Sequence, residues 1–450
     1  MPVMRLKWIH KKDLIEILVS KFSLLILILL LANNCSLSKK TEFWGKENSN
    51  IENNENIQTI LTKQVREEQE LNPTLQIKVT DENFNKNFNN NQNNIRELYY
   101  DGGLEKIGKY NFSKFNDFEF IDVRPIFYNK HIIFSDNKGA ILFYDQNQKL
   151  IWKKNFYNKR EKKLKPRLNF AIHKNILIVT DDIAKYYAIN IETKEVIWSK
   201  KNIVPFNSEI KIKDNFFYVV DYKNILRSFS IINGLEIWNL KTEESLTKSN
   251  TKISIVIKDQ NIYFNNSIGD VTAVDLESGE LVWQLPTQSD NISKNAFNLS
   301  NSKLVIDEDA ILFSNNKSEF YSIDTATGLI NWKNEINSSL RPVVIGKFIL
   351  TISNKGFFYI VDKKTGNIIR VNDLHQNYKI KKRKKIFTTG FIVAHNKVYL
   401  SNDDGKLIVA DLSNGQILNI HKISRDRILQ PYINNNNLFV IKNGSIIKFN

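Results

Sequence analysis

Short stretches of alternating hydrophobic and polar residues recur along the chain from about residue 105 onward, separated by clusters of Asn, Asp, Gly and Ser. Residues 271–283, VTAVDLESGELVW, show the pattern: one strand, a polar turn with Asp275 and Gly279, and a second strand that contains Trp283. Alternation with a period of two, bounded by turn residues, is typical of β-strands. The pattern therefore predicts an all-β domain.

This strand–turn–strand segment occurs seven times, at intervals of about 45 residues. A repeat of that length, with about four strands in each unit, is typical of the blades of a β-propeller rather than of a sandwich. The seven segments are residues 142–152, 187–198, 228–238, 272–283, 321–332, 359–370 and 408–419.

Each repeated residue type has a predicted structural task. The Asp that ends the first strand is expected to accept hydrogen bonds from backbone N–H groups of the turn, and the Gly to supply a positive φ. The Trp is expected to wedge between neighbouring sheets. The predicted structural residues are Asp145, Asp275, Gly279, Asp324, Gly328, Asp362, Gly366, Asp411, Gly415, Trp152, Trp198, Trp238, Trp283 and Trp332.

Five of the seven tryptophans stand at this one position, which indicates an architectural role; the other two, Trp8 and Trp44, precede the repeats. Strict alternation after the turn would place Leu281 and Trp283 on one face of the strand and Val282 on the other.

The two ends of the repeat region predict how the ring closes. Residues 429–450 supply three strands without the fourth, whereas residues 106–115 supply one spare strand. If the spare strand completes the last sheet, the result is an eight-bladed β-propeller with no exposed edge. Seven blades with disordered ends are the alternative.

The N-terminus is typical of an export signal. Basic residues precede the apolar run 22–32, which as a helix would measure roughly 16 Å, too short for a membrane core of about 30 Å. The only cysteine, Cys35, follows at once and resembles the lipidated residue of a bacterial lipoprotein. An uncleaved anchor remains an alternative, and Met1 and Met4 are both possible starts.

These features predict three regions: a lipoprotein signal peptide over 1–34, a lipidated Cys35 with a disordered Asn-rich tether over 35–100, and the propeller over 101–450. The tether is expected to be flexible because its low hydrophobic content provides little energy to offset chain entropy.

The chain is basic, with 64 Lys and Arg against 48 Asp and Glu. Runs of basic residues at 158–167, 379–386 and 421–427 follow predicted outer strands and suggest an acidic partner or anionic lipid, unless they are only a solvated rim. Nucleic acid is not expected for an exported protein. One cysteine excludes an internal disulfide, and six scattered histidines predict no metal site and no catalytic residue.

The repeat A-x-D-x-x-[ST]-G-x-x-x-W, which residues 274–283 and 324–332 match well, resembles that of quinoprotein-type propellers. Quinone-dependent dehydrogenases of this type carry a vicinal cysteine pair and a calcium-binding carboxylate cluster, and the sequence offers neither. A lipidated eight-bladed propeller without catalytic inserts resembles instead the BamB family of outer-membrane β-barrel assembly lipoproteins. That resemblance implies a cofactor-free, non-enzymatic scaffold.

The same resemblance implies a location and partners. The protein would lie at the periplasmic face of the outer membrane and bind the barrel-assembling subunit and unfolded outer-membrane proteins. Leu246, Lys248 and Asp290, in the two loops after the third and fourth repeats, would be its partner-binding residues. A quinone-dependent dehydrogenase and a generic exported protein-binding propeller are the alternatives.

Overall fold

The computed structural model describes residues 91–94, 98–116, 118, 124–243, 252–287 and 299–450. Within these ranges, 32 strands form eight four-stranded antiparallel sheets. The predicted signal peptide, Cys35 and the tether as far as residue 90 lie outside them. No helix in the described ranges is long and apolar enough to cross a membrane.

The eight sheets follow one another along the chain and form the predicted eight-bladed β-propeller. Blades 1 to 4 comprise β2 (Ile126–Tyr128), β3 (His131–Ser135), β4 (Ala140–Asp145), β5 (Leu150–Asn155); β6 (Leu168–His173), β7 (Ile176–Asp181), β8 (Lys185–Asn190), β9 (Val196–Lys201); β10 (Lys211–Lys213), β11 (Phe216–Val220), β12 (Ile225–Ser230), β13 (Glu236–Lys241); and β14 (Ile255–Lys258), β15 (Asn261–Asn265), β16 (Val271–Asp275), β17 (Leu281–Leu285).

Blades 5 to 8 continue the series, and the last one borrows its outer strand from the N-terminal side. They comprise β18 (Val305–Asp307), β19 (Ala310–Asn315), β20 (Glu319–Asp324), β21 (Ile330–Asn334); β22 (Val343–Ile345), β23 (Phe348–Ile352), β24 (Phe357–Asp362), β25 (Ile368–Asp373); β26 (Thr388–Ala394), β27 (Lys397–Asn402), β28 (Lys406–Asp411), β29 (Ile417–Lys422); and β30 (Tyr432–Asn434), β31 (Asn437–Lys442), β32 (Ser445–Phe449) with β1 (Lys106–Asn111). Two short helices, α1 (Lys159–Lys163) and α2 (Ile380–Arg383), follow blades 1 and 6.

The ring closes as the sequence predicts. Strand β1 pairs antiparallel with β32, with Tyr110 opposite Ile446, so the first strand of the propeller completes its last blade. The backbone N–H of Asn450 then donates to the carbonyl of Glu105 at 2.9 Å. This pairing excludes the seven-blade alternative and leaves blade 8 without the covalent turn that joins the outer two strands of every other blade.

Eight hydrophobic clusters hold the blades together. Each cluster draws its buried side chains mainly from two neighbouring blades, from blades 1 and 2 around the ring to blades 8 and 1. The cluster between blades 8 and 1 includes Tyr110 from β1 and Phe134 from β3, both fully buried. Because burial of apolar area is the main favourable term in folding, the ring is stabilised between blades as well as within them.

The turn between the outer two strands is closed by its Asp. The Oδ1 of Asp275 accepts hydrogen bonds from the backbone N–H of Glu277 at 3.1 Å and of Ser278 at 2.7 Å. The N–H of Gly279, at φ +76°, donates to the Asp275 carbonyl at 3.0 Å. Hydrogen bonds from Ser278 lower the pKa of Asp275. The turns at Asp324 and Asp362 have the same geometry.

Four of the repeated tryptophans join one blade to the turn of the next. Each indole N–H donates to a backbone carbonyl at the second residue of the neighbouring turn. Each ring also packs against the turn glycine, with its nearest atom 2.5 to 2.7 Å from the position that a Cβ added to that glycine would occupy. The bonds are Trp198 to Ile231 (2.8 Å), Trp238 to Leu276 (3.3 Å), Trp283 to Thr325 (3.0 Å) and Trp332 to Lys363 (2.9 Å).

In blades 6 and 8, which lack the Trp, other residues make the same connection. Arg370 occupies the position in blade 6, is 4% exposed, and donates to the carbonyls of Leu412 (2.8 Å) and Ser413. Burial lowers the pKa of Arg370 to about 10. At the closing seam, the Tyr110 hydroxyl donates to the Gln146 carbonyl at 3.2 Å.

A β-bulge lies just after this turn in each of blades 1 to 7, so the expected strict alternation does not hold there. In blade 4, Ala273 pairs with Trp283 and Val274 with Leu281, which leaves Val282 as the extra residue. Leu281 and Val282 are both about half exposed. A bulge increases the local twist of a strand, and it brings each indole to the neighbouring turn.

The blade-to-turn contact predicts a graded response to alanine at three glycines. Gly279→Ala would place a Cβ 2.5 Å from the Trp238 ring at φ +76°, and we expect a loss of about 2–4 kcal/mol in the free energy of unfolding. A Cβ added to Gly346, at φ +55°, would have no atom within 4 Å, so Gly346→Ala should cost only backbone strain, about 1–2 kcal/mol.

Gly103→Ala is the matched control, because Gly103 has neither a positive φ nor a neighbour within 4 Å. Urea denaturation of the full chain would measure all three. Equal losses for Gly279→Ala and Gly346→Ala would contradict a role for the indole contact.

Candidate functional site

One face of the propeller carries the loops that leave the outer strands. Strands β13 and β17 end on this face, and each following segment is tied to the hairpin of its own blade. Thr242 Oγ1 donates to the Asn224 carbonyl at 3.0 Å, and Thr287 Oγ1 donates to the Gly269 carbonyl at 2.7 Å. The loops of blades 3 and 4 therefore start from equivalent, neighbouring positions.

The three predicted partner-binding residues belong to these two loops. Leu246 and Lys248 lie within 244–251 and Asp290 within 288–298, both outside the described residues. The structure therefore fixes where the two loops begin and end but does not test the three residues.

The basic run 158–167 contains α1 and is partly neutralised, since Arg167 Nε lies 3.9 Å from Asp182 Oδ2 and the run includes the carboxylate of Glu161. Asn158 caps the helix, and its Oδ1 accepts from the backbone N–H groups of Arg160 and Glu161. The Glu161 carboxylate lies 3.4 Å from the Nζ atoms of both Lys185 and Lys201. Burial of Glu161 raises its pKa, but the backbone hydrogen bond from Asn158 and the charge of Lys185 outweigh burial and lower it overall.

The basic run 379–386 contains α2, and two of its cations form ion pairs with carboxylates. Arg383 forms an ion pair with Asp373, and Lys382 Nζ lies 3.0 Å from Asp404 Oδ2. Part of the basic charge that the sequence places on this face therefore has local carboxylate partners.

On the axial side of the propeller, residues from the N-terminal part of the chain contact the inner strands of three blades. The inner strands of blades 3, 4 and 5 (β10, β14 and β18) are neighbours around the axis, and residues 91–94, here called the axial segment, hydrogen-bond to them. The Ile257 N–H donates to the Asn91 carbonyl at 2.7 Å, and the Ile306 N–H donates to the Gln92 carbonyl at 2.9 Å.

Asn93 is the centre of this arrangement and is fully buried. Its Nδ2 donates to Glu209 Oε1 at 3.1 Å and to the Leu304 carbonyl at 3.0 Å, and its Oδ1 accepts from Lys211 Nζ at 2.7 Å. Asn94 donates to Asp307 Oδ1 at 2.8 Å. The Asn93 Nδ2 also donates to Ser254 Oγ at 3.2 Å, so one carboxamide connects residues of blades 3, 4 and 5.

A buried charge cluster surrounds Asn93. Burial opposes ionisation of Glu209, but the positive charges of Lys211, Lys303 and Arg124 outweigh burial and hold its pKa well below the usual range. The Lys303 Nζ is 3.2 Å and the Arg124 Nη1 is 3.5 Å from Glu209 Oε2. Burial lowers the pKa of Lys211 to about 8, with Glu209 opposing the shift.

Residues 98–100 continue the contact with the propeller. Leu98 forms a parallel bridge to Ala394 at the end of β26, and Tyr100 is fully buried with its ring 5.5 Å from that of Tyr399. The boundary that the sequence predicts at residue 100 therefore falls after the first residues that pack against the blades. Low hydrophobic content does not indicate disorder for residues 91–94, because hydrogen bonds hold them.

Sequence reasoning did not identify the axial residues. Asn93 stands in an Asn-rich stretch with no distinctive pattern, whereas Glu209 and Lys211 offered a signal, two opposite charges that alternate with Ile210 and Ile212 where an inner strand begins. No group of three or more His, Cys, Asp or Glu side chains in the described ranges is placed to hold a metal ion.

The axial contacts predict a loss of stability when Asn93 is shortened. Asn93→Ala would leave Lys211 Nζ and the Leu304 carbonyl without this partner in a buried site, and we expect a loss of about 2–3 kcal/mol in the free energy of unfolding. The control is Asn147→Ala, since Asn147 is exposed in a turn. Chemical denaturation of the full chain would measure both, and equal stability of the two variants would contradict a structural role for the axial segment.

Comparison with known proteins agrees with this architecture. Residues 137–372 match the family model described as outer membrane protein assembly factor BamB. The outer membrane protein assembly factor BamB of Francisella tularensis is 24% identical over 171 residues, covering 36% of this chain and 35% of that protein. The match thus spans about a third of the length of that relative.

Solved structures share the fold at low sequence identity. BamB from Moraxella catarrhalis superimposes with a TM-score of 0.60 at 13% identity, covering 77% of this chain and 97% of that one. A quinohemoprotein alcohol dehydrogenase from Pseudomonas putida superimposes with a TM-score of 0.57 at 10% identity, covering 80% of this chain and 78% of the enzyme. Because the family model covers more than half of the chain, this protein belongs to the family of outer membrane protein assembly factor BamB.

Proposed function

We propose that this protein is a non-enzymatic scaffold of outer membrane protein assembly, held at the periplasmic face of the outer membrane by a lipid on Cys35. The match of residues 137–372 to the BamB family carries the proposal. A closed ring fits such a role, since its blades hold their connecting loops in fixed positions for a partner, and each sheet ends in a short outer strand of five or six residues.

The main alternative, a quinone-dependent dehydrogenase, is less well supported by the residues present. The sequence has a single cysteine and so lacks a vicinal pair, and the described part of the chain provides no carboxylate cluster suited to calcium. The inner strands of blades 3 to 5 are bound by Asn93 and Asn94. These residues do not fit a calcium-bound quinone cofactor.

The axial segment suits a protein that is held by its N-terminal side. Any pull on the chain before residue 91 would reach blades 3, 4 and 5 through the hydrogen bonds of residues 91–94, before it reached the pairing of β1 with β32. The seam that closes the ring without a covalent turn is thereby protected from the load of a tether.

Affinity purification from membranes tests the scaffold. The full chain would carry a tag joined through a flexible linker after Asn450, which is exposed, and Cys35→Ala would be fractionated in parallel. We expect the parent chain in the outer membrane fraction together with barrel-assembly subunits, and the Cys35→Ala variant released from it.

Three results would contradict parts of the proposal. Unchanged membrane association of Cys35→Ala would contradict lipidation. Dye-linked dehydrogenase activity with a tightly held quinone would favour the enzyme, and protease sensitivity on intact cells would indicate a surface-displayed binding protein.

The loops of blades 3 and 4 are the proposed contact with the barrel-assembling subunit, through Leu246, Lys248 and Asp290. We expect the double charge reversal Lys241→Glu with Lys248→Glu to reduce recovery of that subunit at least about fivefold, because opposite charges at an interface become like charges.

The matched control reverses Lys149 and Lys364, which lie in turns on the opposite face. Recovery that falls equally in both double variants would indicate a general charge effect, and unchanged recovery in the first would rule out these loops as the contact.

A further inference from the structure

A cavity of about 610 Å³ lies at the seam where the chain closes its own ring. Its walls come from three segments: β1 and the residues after it, the link from blade 7 to blade 8, and the hairpin between β31 and β32. A volume of this size is in the range of small-molecule binding sites.

The cavity is lined by five cationic side chains and one carboxylate, that of Asp426. The cationic residues are Lys109, Lys114, Lys422, Arg425 and Lys442. In the described part of the chain, no carboxylate lies within ion-pair distance of any of them. In the basic runs of α1 and α2, by contrast, the carboxylates of Glu161, Asp373 and Asp404 form ion pairs with nearby Lys and Arg side chains.

Hydrogen bonds hold the walls of the cavity in place. The Phe112 N–H donates to the Gly444 carbonyl at 3.1 Å, and Asn443 exchanges two hydrogen bonds of 2.9 Å with the backbone of Phe115. Lys422 Nζ donates to the Asp404 carbonyl at 2.5 Å, which orients the ammonium group without neutralising it. The backbone segments that carry the cationic side chains are therefore held in fixed positions.

The chemistry of the lining selects an anion with several acceptor oxygens. A phosphate monoester carries close to two negative charges and three acceptor oxygens, and a guanidinium such as that of Arg425 binds it in a bidentate manner. Phe112 and Ile423 add an apolar wall suited to a carbon skeleton. We propose that the seam cavity between blades 7 and 8 is a binding site for an organic phosphate.

Two sources supply this chemistry, a soluble organic phosphate and a phospholipid head group, and the experiment separates them. Glycerol 3-phosphate would be titrated calorimetrically into the full chain in a neutral-headgroup detergent at low salt. In a second arm, the chain would be sedimented with phosphatidylcholine vesicles with or without phosphatidic acid. Binding of glycerol 3-phosphate favours the soluble source, and binding of the phosphatidic acid vesicles alone favours the lipid.

The double variant Arg425→Gln with Lys442→Gln tests the site itself. We expect its affinity to fall at least about tenfold in whichever arm shows binding, because two charge-assisted contacts are lost. Lys149→Gln with Lys364→Gln removes the same charge from the opposite face and should leave affinity within about twofold, and Arg425→Lys with Lys442→Arg should retain most of it.

An unchanged thermal midpoint of the double variant without ligand would show that the fold is intact. No binding in either arm by the parent chain, or an equal loss in the two Gln double variants, would overturn the proposal.

Discussion

The contact between an outer strand and the turn of the next blade is the interaction on which the ring depends. Each of four indoles both fills the space that a side chain on the turn glycine would need and donates to a turn carbonyl. The turn in turn holds its shape through an Asp carboxylate, as at Asp275. A side chain on one blade and a backbone conformation on the next are therefore mutually dependent.

This contact is defined by its geometry and not by tryptophan alone. Arg370 reaches two carbonyls of the blade 7 turn, and Tyr110 reaches the blade 1 turn from the closing strand. What the three residue types share is a planar group with a donor at its far end, which reaches a backbone carbonyl of the neighbouring turn. These two departures from the repeat thus preserve the hydrogen bond to the neighbouring turn.

The N-terminal side of the chain enters the propeller twice, at the axis and at the rim. Residues 91–94 join blades 3 to 5 through Asn93 and Asn94, and β1 completes blade 8. A scaffold attached to a membrane by this side would transmit force to three blades at once. The basic cavity lies beside β1, where the ring closes. Its cations have no carboxylate within ion-pair distance in the described part of the chain, whereas ion pairs are present around α1 and α2.

The sequence by itself determined the four-stranded repeat and its turn, because both rest on a local pattern that recurs along the chain. It predicted the closing strand from a strand missing at one end and present at the other, and the pairing of β1 with β32 decided for eight blades against seven. The Asp275 and Gly279 geometry follows from the preferences of neighbouring residues. Tertiary structure alone decided the bulge at Val282, the docking of Arg370, the burial of Asn93 between Glu209 and Lys211, and the grouping of Lys109 with Arg425 and Lys442. Those features join residues distant in sequence, and their environment arises only when the ring brings the blades together.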